Sequence, residues 1–245
     1  MSTFKVILEY DGTHYAGWQC QPDRRTIQAA LEETLATVAQ ERVSVIGAGR
    51  TDAGVHALGQ VASFRSGAIL TPADWFRALN GLLPKDIAVR SVQRVADDFH
   101  ARYSAIGKLY EYRILTRRGR SALDRHRVWH LHKSLDLDAM RTAATALVGR
   151  HDFSSFEGSS TEDTNPTCRL ERLALYREDD DLIRIEAYAD RFLRQMVRAI
   201  VGTLVEVGMG KRAPGSFNTV LAARTRAAAG KTAPPHGLYL VRVDY

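Results

Sequence analysis

One short run of the sequence, GRTDAGVHA at residues 49–57, combines a carboxylate, an arginine, a histidine and two glycines. The glycines permit positive φ angles, so the backbone can turn sharply around Asp52. Arg50, two residues before Asp52, can lie close enough to keep the carboxylate ionised. An ionised aspartate in a concave loop can act as a nucleophile or as a base. The residues alone leave both chemistries open, beside the simpler alternative that Asp52 is a turn residue.

Two apolar runs flank this segment and must position it. Residues 43–46 (VSVI) and 60–64 (QVASF) have the composition of short strands. The run between them is therefore predicted to be a loop held at both ends by a sheet. Rigid scaffolds present reactive groups in such loops.

The rest of the chain predicts alternating strands and helices. Further strands are predicted over residues 4–10, 87–95, 107–115, 169–176, 182–188 and 238–243. Helices are predicted after the N-caps Thr26 and Thr71, from Asp136 or Asp138 to Gly149, and over residues 191–207 and 216–223. This order predicts two α+β halves that meet near Ser104, with residues 1–104 carrying the Asp52 loop and residues 105–245 forming the second half.

The helix predicted over residues 191–207 carries a row of arginines. At about 100° per residue, Arg191, Arg194 and Arg198 fall on one stripe, which Gly202 continues. A solvated face is the ordinary explanation of such a row. A glycine on the same stripe instead favours the close approach of another backbone or a ligand.

Three histidines, His126, His130 and His132, are predicted to share a strand face and could in principle bind a metal. Neither a cysteine nor a carboxylate accompanies them at ligand spacing, so the sequence predicts no metal site. An RNA-facing or solvent-facing surface, shared with Arg125, Arg127 and Lys133, is the favoured alternative.

Composition favours a polyanionic partner. Lys and Arg number 34 against 28 Asp and Glu, a net charge of +6, and the sequence pI is about 9.5. Apolar runs are too short for a membrane span, and residues 1–4 lead directly into a predicted strand, so neither a membrane segment nor a signal peptide is expected. Cys20 and Cys168 form no paired motif, which favours a reducing cytoplasm.

Residues 50–57 (RTDAGVHA) resemble the catalytic motif of the tRNA pseudouridine synthase A family. Other segments match the family's motifs in the same order, namely residues 10–13, 17–19, 99–105, 110–112, 192–198 and 237–240. The resemblance implies the pseudouridine synthase fold, in which two similar α/β domains join their largely antiparallel sheets and leave a cleft between them. It also implies isomerisation of uridine to pseudouridine at positions 38, 39 and 40 of the tRNA anticodon stem-loop, without a cofactor and by a homodimer.

The resemblance also implies roles for individual residues. Asp52 is the catalytic residue, which either attacks the sugar or base covalently or removes a sugar proton to give a glycal. Tyr110 stacks on the uracil and assists proton transfer from C5, and Arg198 matches the family's arginine that pairs with the aspartate. The implied substrate and RNA contacts are Arg50, Thr51, His56, Arg102, Arg194 and Leu238.

Two other functions are compatible with part of the sequence. A non-catalytic RNA-binding module would need only the basic surface, but a carboxylate such as Asp52 would repel phosphates. An RNA glycoside hydrolase would need two carboxylates acting together, and only Asp52 has that setting. The sequence therefore favours the synthase.

Overall fold

The computed structural model describes residues 1–158 and 165–245, and the chain divides into two compact units. The first unit comprises Met1–Ile106 with Tyr239–Tyr245, and the second comprises Gly107–Leu238. The division after Ile106 lies two residues from the predicted boundary. The C-terminal segment was predicted in the second half but falls in the first unit, because it pairs with a strand of that unit.

Within the described residues the chain forms ten strands and five α-helices. The strands are β1 (Ser2–Tyr10), β2 (Val45–Gly47), β3 (His56–Ser66), β4 (Ile87–Val95), β5 (Gly107–Leu115), β6 (Trp129–His130), β7 (Gly149–Asp152), β8 (Thr167–Arg177), β9 (Leu182–Ala189) and β10 (Leu238–Asp244). The helices are α1 (Ile27–Ala39), α2 (Pro72–Leu82), α3 (Leu137–Thr145), α4 (Met196–Gly208) and α5 (Phe217–Ala223). Among these helices, none has the length and apolar character that crossing a membrane requires.

The sheet of the first unit has the strand order β4-β1-β3-β10, and β2 pairs with β3. All pairs are antiparallel except β10 with β3, where Tyr239 lies opposite His56. The aromatic core contains Phe4, Phe64 and Trp75, and the Phe64 and Trp75 rings lie 5.1 Å apart edge to face. Such aromatic pairs stabilise a core by more than the burial of their apolar area alone would give.

The helices of the first unit begin at the predicted caps. The Thr26 hydroxyl accepts from the Ala29 amide at the start of α1. Thr71 and Asp74 form a reciprocal capping box at the start of α2. Each cap satisfies backbone N–H groups that the first turn of a helix leaves without partners.

The second unit repeats this combination of sheet and helices. Its strands run in the order β5-β9-β8-β7 with antiparallel pairs, and the short β6 pairs parallel to β5. Asp136 caps α3, which decides between the two predicted caps, although α3 ends at Thr145 rather than Gly149. Each unit is thus a mostly antiparallel sheet with helices, which confirms the predicted α+β class.

Two local predictions were wrong. Helix α4 begins at Met196, because Gln195 adopts the left-handed conformation with a φ of 60° and the chain turns there. Arg191 and Arg194 therefore precede the helix, and the predicted stripe of three arginines does not exist. The predicted histidine strand is also shorter, since β6 contains His130 but neither His126 nor His132.

The close backbone approach predicted at Gly202 is confirmed. A Cβ atom at this position would lie 1.7 Å from the carbonyl oxygen of Lys231. The segment after Ala229 is hydrogen-bonded along α4, since Gly230 N donates to Thr203 Oγ1 at 2.9 Å. The Arg198 guanidinium donates through Nε to the Ala233 carbonyl, also at 2.9 Å. Gly202 therefore allows this segment to lie directly on the helix.

We expect Gly202→Ala to lower the free energy of unfolding by about 1–3 kcal/mol, because the added methyl group would overlap a backbone carbonyl. The control is Gly81→Ala near the end of α2, where an added Cβ meets nothing within 4 Å. That change should be neutral or stabilising by up to about 1 kcal/mol, since alanine has the higher helix propensity. Urea unfolding of both variants measures the difference, and equal midpoints would contradict the proposed overlap.

Candidate active site

The Asp52 loop lies between two paired strands, as predicted. Strand β2 pairs antiparallel with β3, placing Gly47 opposite Ala62. Beyond β2, the Ala48 amide still donates to the Val61 carbonyl at 2.8 Å. The loop therefore leaves and re-enters the sheet of the first unit over residues 48–55.

A buried chain of polar side chains holds the first half of the loop. The hydroxyls of Tyr10 and Thr51 share a hydrogen bond of 2.9 Å. Gln60, fully buried on β3, donates from Nε2 to the Gly49 carbonyl at 2.9 Å and to the Tyr10 hydroxyl at 3.4 Å. Burial raises the pKa of Tyr10 to about 12, so its hydroxyl stays protonated at neutral pH.

The N-terminal segment contacts the loop through its backbone. The Trp18 amide donates to the Thr51 carbonyl at 3.0 Å, and the Gly54 amide donates to the Tyr15 carbonyl at 3.3 Å. Gly17 has a φ of +99°, and a Cβ there would lie 2.6 Å from the Thr51 carbonyl oxygen. A side chain at position 17 would therefore separate the two segments.

His56 anchors the other end of the loop from the interior. Its side chain is buried and its ring stacks on Tyr239 with centroids 4.8 Å apart. The Gly12 amide donates to His56 Nδ1 at 3.1 Å. Asp11 Oδ1 lies 3.2 Å from the same nitrogen and also accepts from the Thr13 amide at 3.0 Å.

Asp52 keeps part of its surface exposed, whereas Thr51 before it and Val55 after it are buried. The Val55 amide donates to the Asp52 carbonyl at 3.1 Å, and Gly54 has a φ of +77°. The turn is therefore closed by hydrogen bonds on both sides of a carboxylate that solvent can reach. Arg50 is exposed and donates from Nε to Gln19 Oε1 at 3.1 Å.

The second unit holds Tyr110 and Arg198. Tyr110 lies buried on β5, and its ring contacts Phe192 edge to face at 5.1 Å. Arg198 lies in the first turn of α4 and is partly exposed. Its Nε donates a hydrogen bond to the Ala233 carbonyl. Burial raises the pKa of the neighbouring Tyr112 hydroxyl, and the positive charge of Arg198 opposes that shift. Tyr112 donates this hydroxyl to the Pro234 carbonyl at 2.7 Å.

The other predicted contact residues differ in exposure. Arg102 and Arg194 are exposed, and the Arg102 guanidinium lies 5.7 Å from the centre of the Tyr103 ring. Leu238, the first residue of β10, is buried. Cations on the surface can meet phosphates directly, whereas a buried side chain acts through packing.

Four residues that hold the loop were assigned no role from the sequence, namely Tyr10, Gly12, Gly17 and Gln60. Three of them lie in segments that resemble the family's opening motif, but the motif alone does not say what they contact. The sequence does contain a signal for Gln60, because a polar amide begins a predicted strand (QVASF) in which three of the other four residues are apolar. A buried amide in a strand needs hydrogen-bond partners, and here those partners belong to the loop.

Across residues 1–158 and 165–245, the structure contains no group of three or more side chains that could hold a metal ion. The predicted histidine cluster instead contacts backbone carbonyls. His130 Nε2 lies 2.8 Å from the Arg117 oxygen, and His132 Nδ1 lies 3.2 Å from the Arg118 oxygen.

Comparison with known proteins gives consistent matches over the chain. A family model described as tRNA pseudouridine synthase matches residues 6–104 and 143–245. Proteins named tRNA pseudouridine synthase A from Acetivibrio thermocellus and Rhodopseudomonas palustris are each 46% identical over 246 residues, covering 100% of both chains. The protein of that name from Myxococcus xanthus is 46% identical over 100% of this chain and 92% of its own. A solved Cbf5-Nop10-Gar1 complex matches 96% of this chain and 57% of its own, at 11% identity and a TM-score of 0.37, a likeness too low to establish the fold.

We expect Tyr10→Phe to change how stability depends on pH. Between pH 10 and about 12 the unfolded chain releases the Tyr10 proton while the folded chain retains it. The wild type therefore loses about 1.4 kcal/mol of stability per pH unit in this window from Tyr10 alone. The variant should be about 1 kcal/mol less stable at pH 8, through the lost hydrogen bond, and should show a shallower alkaline decline. Urea unfolding of both proteins from pH 8 to 11.5 measures the free energy of unfolding. Equal slopes of this free energy against pH would contradict the raised pKa of Tyr10.

Proposed function

Because this chain belongs to the tRNA pseudouridine synthase family, we propose that it isomerises uridine to pseudouridine in tRNA and that Asp52 performs the chemistry. The observation that carries the proposal is the partly exposed Asp52 in a loop that hydrogen bonds hold on both sides. A loop held in this way orients a reactive group before the substrate arrives, which removes an entropic cost from the reaction.

The reaction is a rearrangement within one nucleotide. The bond between N1 and C1′ breaks, the uracil rotates, and a bond between C5 and C1′ forms, while the proton from C5 is replaced by one on N1. Electrons and groups balance within the nucleotide, so the reaction needs neither an oxidant nor a group donor. The uridine must leave the base stack first, because side chains cannot reach C1′ or C6 inside a helix.

Asp52 can serve this rearrangement in two ways. Its carboxylate either forms a covalent bond to the sugar or base, or removes a sugar proton to give a glycal. Both routes need an ionised, correctly aimed carboxylate. Thr51 and His56 are buried, so we assign them the positioning of the loop rather than direct contact with RNA.

The roles of the second-unit residues follow from their match to the family motifs. Tyr110 is assigned to stacking on the uracil and to proton transfer at C5, and the edge of Phe192 orients its ring. Arg198 is assigned to stabilising the catalytic carboxylate, with its guanidinium plane oriented through the Nε contact to Ala233. Leu238 is assigned to packing against the flipped base.

Exposed arginines supply contacts to the RNA. Arg102 and Arg194 are suited to phosphates because a guanidinium can bind two phosphate oxygens at once. Arg50 is suited to holding a phosphate or the space that the flipped base vacates. The family resemblance adds the anticodon stem-loop positions 38, 39 and 40, the homodimer and the cytoplasm. Cys20 and Cys168 are thiols rather than disulfide partners in the described residues, which fits a reducing compartment.

We expect Asp52→Asn and Asp52→Ala to reduce the single-turnover rate of pseudouridine formation by about 10³-fold or more, since each removes the reacting carboxylate. Affinity for tRNA should stay within a few-fold, because cations facing phosphates supply most of it. Chemical mapping of pseudouridine on unmodified tRNA measures the rate and reads the modified positions. Sedimentation of the same preparation reads whether the 27.3 kDa chain forms a dimer.

The matched control is Asp98→Asn, an exposed aspartate outside the loop, which should keep the wild-type rate. Full activity in Asp52→Ala would refute the assignment of the chemistry to this residue. Tight RNA binding by a wild-type protein that forms no pseudouridine would favour the non-catalytic RNA-binding module.

A second prediction separates two tyrosines on the same face of β5. Tyr110→Phe keeps the ring but removes the hydroxyl, so we expect turnover to fall by about 10²-fold or more with little change in RNA affinity. Tyr112→Phe removes only the hydrogen bond to Pro234, so it should cost about 1–3 kcal/mol of stability and leave turnover intact. Single-turnover rates and urea unfolding measure both variants, and reversed results would move the proton-transfer role to Tyr112.

A further inference from the structure

The positive charge of this protein is concentrated in one short stretch, residues 116–134, called here the basic segment. It contains one acidic residue, Asp124, and six cationic residues, Arg117, Arg118, Arg120, Arg125, Arg127 and Lys133. Its formal charge is therefore +5, against +6 for the whole chain. Outside the basic segment, positive and negative charges nearly cancel.

The basic segment lies outside the two ranges that the family model matches. The family model matches residues 6–104 and 143–245, and the segment falls in the interval between them. Its function is therefore not given by the family match. The sequence had favoured an RNA-facing or solvent-facing surface for part of this stretch, and the structure now allows a more specific assignment.

The segment is anchored to the sheet of the second unit. Strand β6 pairs with β5, with His130 opposite Leu115, and the Leu131 amide donates to the Leu115 carbonyl at 2.8 Å. The ring N–H groups of His130 and His132 face the carbonyls of Arg117 and Arg118. These contacts join the beginning of the segment to its end and attach it to β5, which restricts its conformations, so less conformational entropy is lost when a ligand binds.

The charge of the segment is available to a partner. Arg118, Arg120 and Lys133 are exposed, and in the described part of the chain their side chains form neither a hydrogen bond nor an ion pair. The only acid of the segment, Asp124, accepts from the Ser121 hydroxyl at 2.8 Å. Arg118, Arg120 and Lys133 therefore keep their electrostatic attraction for an anionic ligand.

We propose that the basic segment binds the sugar–phosphate backbone of the substrate RNA at a distance from the reacting uridine. Tyr110 and the start of the segment at Thr116 are six residues apart along β5, which corresponds to about 20 Å in an extended strand. This inference rests on the proposed function, since it assumes that Tyr110 faces the reacting uracil. The segment would then supply affinity for RNA that lies outside the reacting nucleotide.

The chemistry of the segment favours RNA over a membrane surface. Five of its six cations are arginines, which bind phosphate oxygens in bidentate geometry. Val128 is buried and Trp129 packs against Tyr112 within the unit. Insertion into a lipid interface needs an apolar face beside the charges, and Leu123 is the single strongly exposed large apolar side chain of the segment's described residues.

The test uses a variant that removes three of these cations without disturbing the anchoring contacts, Arg118→Gln with Arg120→Gln and Lys133→Gln. Binding of unmodified full-length tRNA is measured over a series of salt concentrations. We expect the slope of log affinity against log salt to fall by about two to three, and affinity to fall about tenfold or more at low salt. The single-turnover rate at saturating RNA should change less than threefold.

The control carries the same loss of charge elsewhere, as Arg42→Gln with Lys85→Gln and Arg94→Gln. These residues are exposed, lie in the first unit and, among the described residues, form no side-chain ion pair. The control should change the salt slope by less than one. Equal losses in both triple variants would show a net-charge effect and overturn the local assignment.

Two further measurements separate the alternatives. The first uses an RNA stem-loop that is too short to reach 20 Å from the target uridine, which the segment variant and the wild type should bind with equal affinity. If the variant instead loses as much affinity for the short RNA as for full-length tRNA, the segment lies at the reacting nucleotide and the proposal is contradicted. Loss of binding to phosphatidylserine vesicles with an unchanged RNA slope would identify a membrane contact instead. The salt slopes do not depend on turnover, so a wild type that forms no pseudouridine would contradict the proposed function alone.

Discussion

A buried chain of three polar side chains, Gln60, Tyr10 and Thr51, determines where the Asp52 loop lies. Hydrogen bonds are strong in the interior, and an unmade one is costly there, so the three groups must remain together as long as the unit is folded. Tyr10 ends β1 and Gln60 lies within β3, so the loop takes its position from two strands of the sheet. Asp52 follows Thr51 directly, and the sheet therefore sets the place of its carboxylate although its side chain meets solvent.

Close contact between the backbone of the N-terminal segment and the backbone of the Asp52 loop also holds the loop in place. A Cβ at Gly12 would lie 2.0 Å from the Val55 carbonyl oxygen, and one at Gly17 would lie 2.6 Å from that of Thr51. The two glycines let the N-terminal segment approach both ends of the loop, where its amides and carbonyls satisfy the loop's own backbone groups. A loop whose backbone N–H and C=O groups have hydrogen-bond partners can be rigid even where it is exposed to solvent. Such rigidity is what keeps a reactive side chain in a fixed orientation.

The sequence predicts the local elements better than their ends and partners. The ranges of β4 and β5 follow from the alternation of their side chains, and the caps Thr26 and Thr71 follow from residue type. For α3, residue type leaves Asp136 and Asp138 as alternatives, and the structure selects Asp136. The start of α4 does not follow from the sequence, because residues 191–195 have the periodicity of a helix. The left-handed conformation of Gln195 depends on tertiary contacts, such as the hydrogen bond from the Gly158 amide to the Arg194 carbonyl. The parallel pairing of β10 with β3 joins Tyr239 to His56, which are 183 positions apart in the chain, and local pattern carries no information about such a pairing. The same holds for the site: the motif identifies Asp52, but only the fold shows that Tyr10 and Gln60 position it.

Affinity and chemistry place opposite demands on charge in an enzyme that acts on RNA. A catalytic carboxylate, the role proposed for Asp52, repels the phosphates of the RNA, so attraction must come from cations placed elsewhere. The distribution of charge in this chain fits such a separation. The Asp52 loop is held by hydrogen bonds between neutral groups, whereas almost all the net positive charge lies on the basic segment of the second unit, which is paired to β5. The hydrogen bonds described above for the loop use no cation of that segment. Under the proposed role of the segment, substitutions there would change RNA affinity without moving the carboxylate. Affinity and turnover would then be independently adjustable in this fold.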